Sequence, residues 1–215
     1  MIPLGVLASA RHAAGGVITF LGSSSTGTDG STQTFTGVPF GTPSATREII
    51  VCIGTGAGPA QSVTSVTIGG IAATIDQFAE VGVGGSVIAR AAVPTGTTGT
   101  LVATCSGNVA RAVIGIYHSP VALTVAAVAT LTGNGATGTK ATASITNPAG
   151  GTVIASAYTH TTTVSWDGGV AQDHATTVET VWGSSARTQT VGSLTITAAS
   201  AATAFDAIAA VAYTA

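Results

Sequence analysis

His160, Asp167, Asp173 and His174 are the residues of this chain whose types and spacing come nearest to a reactive set. Two imidazoles and two carboxylates this close in sequence could relay a proton or ligate a metal ion. Their spacing matches no zinc pattern, and none of the four histidines (His12, His118, His160, His174) is paired at one. In so polar a stretch, solvated loop groups are the plainer reading. Asp76 and Glu80 resemble a glycosidase carboxylate pair, but lie only four positions apart at the end of an extended run. Gly133 to Lys140 has the look of a phosphate loop. Thr139 stands where the lysine belongs, Lys140 comes one position late, and the segment reads as a hairpin rather than a strand-to-helix turn. No Gly-x-Ser-x-Gly elbow is present.

Trp166, Trp182, Tyr158 and Tyr213 could stack sugars along a sheet edge, although core filling with the polar tip at the rim is the simpler role. Arg90 and Arg111 sit inside extended runs. A guanidinium there needs a carboxylate, with Asp76 or Glu80 expected, or else it crosses a subunit contact. No catalytic, cofactor-binding or metal-ligating residue is therefore assigned. No cofactor is expected, and the chain reads as non-enzymatic.

The elements that would position these groups are strands. Glu48 to Ile53 is a continuous apolar run, the pattern of a strand buried on both faces. Ser62 to Ile68 alternates with one slip, which predicts a bulge, and Gly69-Gly70 predicts a tight turn. Thr100–Cys105 and Val109–Tyr117, joined by Ser-Gly-Asn, read as the central hairpin. Leu123–Leu131 and Thr139–Thr146 read as a second one, around Asn134-Gly135. Roughly fourteen short strands and no amphipathic helix point to an all-β, antiparallel two-sheet β-sandwich of jelly-roll type. The later strands echo the earlier ones, each half closing on a strand that ends in a tyrosine, Tyr117 and Tyr213. Because the spacings inside the halves differ, one sandwich over residues 16–215 is preferred to a duplication.

Composition bounds the function. Hydrophobic residues make up 45% of the 215 positions and charged residues only 7%, against about a quarter in ordinary globular domains. No apolar run is long enough for a membrane helix, so no membrane partner is expected. The six basic residues are scattered and the net charge is −2, which argues against nucleic acid as a partner. A surface of Thr, Ser, Gly and Ala has little electrostatic protection against association. It is expected to be covered in the working state, by further copies or a larger assembly. Cys52 and Cys105 lie in apolar runs; a disulfide between adjacent strands is open to them, and buried thiols, as in a reducing cytoplasm, are favoured. Residues 1–15 lack a positive n-region, so they are read as a retained docking arm and not as a signal peptide.

Three stretches carry a resemblance: Val66–Thr74, Val93–Thr104 and Arg111–Tyr117. With the Met-Ile-Pro-Leu-Gly start and Pro148–Ala155, they resemble virion proteins of tailed bacteriophages. The likeness covers most of residues 47–160. It implies a β-sandwich structural protein of the particle, such as a capsid decoration or linking protein, a collar component or a tail-fibre module. Its partners would be other virion proteins and copies of itself, a trimer being favoured. Its place would be the virion, after synthesis in the host cytoplasm. A receptor- or carbohydrate-binding module of a fibre or secreted protein is the alternative. The resemblance supplies no functional residues.

Overall fold

The computed structural model describes residues 18–56, 61–133, 140–160, 164–179, 181–200 and 206–215. The expected arm (1–15) and the Asn134-Gly135 turn lie outside them, as does most of the phosphate-loop look-alike. The described residues form seventeen strands with only antiparallel pairings and no helix.

The first half contains β1 (Thr19–Thr26), β2 (Gly30–Pro39), β3 (Glu48–Gly56), β4 (Val63–Ile68), β5 (Ile71–Ala72), β6 (Thr74–Val81), β7 (Gly84–Ala92), β8 (Thr98–Val109) and β9 (Arg111–Ser119). The second contains β10 (Thr124–Gly133), β11 (Lys140–Asn147), β12 (Thr152–His160), β13 (Val164–Asp167), β14 (Ala171–Val178), β15 (Val181–Thr188), β16 (Gly192–Ser200) and β17 (Asp206–Thr214). The first half makes sheets ordered β1-β9-β3-β7-β6 and β2-β8-β4-β5; the second makes β10-β17-β12-β15-β14 and β11-β16-β13. Strand for strand, the second pair of orders repeats the first, without a counterpart to β5. The all-β sandwich expected from sequence is thus built twice. The described part of residues 16–215, which sequence reads as one two-sheet sandwich, holds four sheets, and the echo between the halves is a repeat of topology.

The four sheets stack as layers. Phe35, Val66 and Leu101 of the first outer sheet pack on Val51 and Ile114 of the first inner sheet. The other face of that inner sheet, through Ile50, Cys52 and Ile88, meets Ile154, Tyr158 and Val211 of the second. Ile145, Leu194 and Ile196 of the second outer sheet close on Val153 and Ala155. An inner strand therefore has two apolar faces, and every residue of β3 is buried. Outer strands have one, hence the alternation along β4. The expected bulge in β4 falls between Val63 and Ser65, and the Gly69-Gly70 turn joins β4 to β5.

The expected central hairpin is not one. β8 pairs with β2 and β4 while β9 pairs with β1 and β3, so the chain turns a corner between sheets near Ala110. Leu101 and Ile114 still meet, but across a core. Two successive apolar runs bury one another equally well as neighbours or as opposite walls, and spacing does not tell these apart. β10 and β11 likewise belong to different sheets. Besides β4–β5, β6–β7 and β14–β15 are close hairpins, each interrupted by a bulge, between Ile75 and Gln77 and between Gln172 and His174. The residues left out of register are Asp76 and Asp173.

Candidate functional site

A β-bulge leaves one residue without a cross-strand partner and re-aims its side chain. Here both re-aimed residues are carboxylates turned toward the seam between the inner sheets. In the first half, Asp76 Oδ2 lies 2.9 Å from Arg90 Nε of the neighbouring strand. It also accepts a 2.7 Å hydrogen bond from the hydroxyl of Tyr213, which belongs to the second half. Arg90 Nη1 donates to both Glu48 carboxylate oxygens, at 3.0 and 3.1 Å, and to the carbonyl of Leu123, just ahead of β10. The Leu123 N–H returns a 3.2 Å bond to Glu48 Oε2.

The second half builds the reciprocal station. Arg187 Nε donates to Asp173 Oδ1 at 3.1 Å. Asp173 Oδ2 accepts from Tyr117 of the first half at 3.0 Å. Arg187 Nη1 donates to the carbonyl of Ile18, just ahead of β1. Arg90 and Arg187 occupy equivalent places, opposite Ile50 and Ile154 in their sheets. Each half thus lends an arginine and a bulge aspartate and receives a tyrosine and a backbone carbonyl. That exchange is reciprocal, like the contacts across a two-fold dimer, except that the tyrosines are two residues out of step: Tyr117 lies opposite Ile50, and Tyr213 opposite Thr152 rather than Ile154.

The electrostatics are those of fixed structural ties. Burial pushes the Asp76 and Asp173 carboxyls above their usual range, against the tyrosine hydrogen bonds and arginine charges that hold them down. Burial alone would lower Arg90; the Asp76 and Glu48 charges outweigh it and raise it. Burial also raises both tyrosines well above their ordinary value, so they remain donors. Desolvation on this scale offsets most of the Coulombic gain, and such clusters set alignment more than net stability.

The sequence-derived candidates disperse. Asp173 belongs to the second station. His174, next in the chain, is buried, stacked on Phe20 at 5.7 Å, and held neutral by a pKa that burial lowers to about 4. His160 ends β12, and Asp167 is exposed on an outer sheet. Asp76 is committed to Arg90, which parts it from Glu80. Among the described residues, no three metal-ligating side chains converge. Arg111 ties the halves at another point, pairing with Asp29 at 3.0 Å and with Glu179 of the β14–β15 turn. Cys52 faces the seam and Cys105 the first outer core; both are buried free thiols, as expected.

The chain matches no protein-family model, no characterised protein and no solved structure at a significant level. Function must be argued from the geometry.

Three of the four aromatic candidates, Trp166, Tyr158 and Tyr213, serve the interior. Trp166 donates its indole N–H to Ser184 Oγ at 2.7 Å, bridging outer and inner sheets. Tyr158 covers Gly56 so closely that a Cβ there would lie 2.5 Å from its ring. The side chain of Trp182 lies outside the described residues. Sequence reading passed over Arg47, which is fully buried and donates to three carbonyls, of Val93 (2.6 Å), Thr95 (2.6 Å) and Gly41 (3.1 Å). With backbone partners only, it left no pattern to find. Asn147 does similar work in the second half, donating to the carbonyls of Thr190 and Gly151.

Proposed function

We propose that this chain is a non-enzymatic structural protein of a bacteriophage particle, decorating or linking other virion proteins. The observation that carries the reading is the pair of outer faces. The first outer sheet exposes Thr32, Thr34, Thr36, Thr64 and Ser65, and none of its strands contains a charged residue. The second exposes Ser144, Thr146, Ser193 and Thr195, and its strands carry charge only at Lys140 and Asp167. Two sheet faces poor in charge, on opposite sides of a four-layer slab, suit a protein that is covered on both sides, by copies of itself or by a shell. The strand orders support the jelly-roll reading of each sandwich. With β5 and β6 counted as one strand, each inner sheet runs first, eighth, third, sixth, fifth, and each outer sheet second, seventh, fourth.

The test is the mass of the purified protein by light scattering, alone and after mixing with particles stripped of it. A closed oligomer that rebinds particles is the expected result. A monomer without affinity for particles overturns the reading.

A further inference from the structure

The two stations differ at one position. Counting along β3 and β12 from Ile50 and Ile154, which face Arg90 and Arg187, Glu48 corresponds to Thr152. In the first station the Glu48 carboxylate lies between the Arg90 guanidinium and the Leu123 N–H. In the second, that volume is a cavity of about 310 Å³ lined by Ile18, Thr152, Ala171, Arg187, Thr188 and Gln189. Ile18 takes the part of Leu123: the carbonyl of each accepts a hydrogen bond from Nη1 of its station arginine. The first station sets two carboxylates against one guanidinium; among the described residues, the second has Asp173 alone against Arg187.

The geometry points to a carboxylate-binding site in this cavity, where the carboxylate of a small organic acid takes the place that Glu48 fills in the other half. Arg187 supplies the charge. The Ile18 N–H and the Thr152 hydroxyl, which makes no hydrogen bond among the described residues, supply the remaining donors. A charge-assisted hydrogen bond from a guanidinium to a carboxylate, as Arg90 Nη1 makes to Glu48, is among the stronger polar contacts. The volume lies at the small end of ligand pockets. Residues 1–17, which lead into Ile18, contain no Asp or Glu, so that segment brings no carboxylate side chain of its own.

The experiment uses the full chain, isotope-labelled, with the Arg187 Nε–H and Ile18 amide signals followed by NMR. Sodium acetate is titrated against sodium chloride at constant ionic strength. A saturable shift at Arg187 and Ile18, absent with chloride and absent at Arg90, is expected. Thr152→Glu fills the cavity with the chain's own carboxylate and should weaken the acetate response roughly tenfold or more. Equal responses to acetate and chloride at Arg187 in the parent protein overturn the proposal, whether or not the variant folds. An acetate response in folded Thr152→Glu as strong as in the parent also overturns it, because the acid then binds elsewhere.

Discussion

The Arg90 and Arg187 stations are built from equivalent strands, bulges and reciprocal tyrosines, yet one is filled and the other open. Glu48 completes the first by bonding both the guanidinium and the backbone of the other half. Thr152, shorter and uncharged, leaves the second with a cavity. The shared part, arginine with bulge aspartate and tyrosine, is what aligns two sandwiches of the same topology. The struts behind the stations teach the same lesson. Arg47 and Asn147 are different residues, yet both hold the turn beyond the arginine strand, through the carbonyls of Val93 and Thr190.

The comparison breaks most sharply at the arginines. Arg90→Met strands two carboxylates in the seam and should cost about 3–5 kcal/mol in urea unfolding at neutral pH. Arg187→Met strands one, beside an open cavity, and should cost about 1–3 kcal/mol. Equal losses would sink the distinction between a filled and an open station.

Next in size is a pH effect. His174 stands where the first half has Gln77, each following its bulge aspartate. The folded pKa of His174 is lowered from 6.5 to about 4, so between these values the unfolded chain binds the extra proton. Stability is therefore lost as pH falls from 6.5 toward 4, by up to about 3 kcal/mol. The buried aspartates act in the opposite sense. Their raised carboxyls bind protons more readily in the fold, so acid favours the folded state at those sites. The difference between thermal-melt profiles of the parent and His174→Gln isolates the histidine, and the variant should lack this acid-side loss. Parallel profiles would show that the imidazole is not buried as described.

The smallest effect separates the two tyrosines. Tyr213→Phe removes one bond to a charged acceptor and should cost about 1.5–3 kcal/mol. Tyr117→Phe should cost somewhat more, since its hydroxyl also lies 2.5 Å from Ser185 Oγ. A neutral Tyr213→Phe in denaturant unfolding would mean that Asp76 is held by Arg90 alone.

Part of the station was legible in advance. An arginine within an apolar strand must find a carboxylate, and Asp76 was one of two expected partners for Arg90. Glu48 and Tyr213 were not foreseen. They lie 42 residues from Arg90 and 137 from Asp76 respectively, and only strand register brings them there. The matching tyrosines at the ends of the two halves were visible. Their meaning was not, because each acts on the opposite half.

Local pattern determined the all-β class, the doubly buried β3, the alternating outer strands, the β4 bulge and the Gly69-Gly70 turn. These depend on which faces of one strand meet apolar surroundings, and that is written in consecutive residues. Tertiary structure alone decided that β8 and β9 form opposite walls of a core, that the sandwich is built twice, and that the halves exchange side chains across a seam. An apolar face records that it is buried but not which sheet buries it. That choice is made by long-range pairing and packing, which no stretch of the chain encodes by itself.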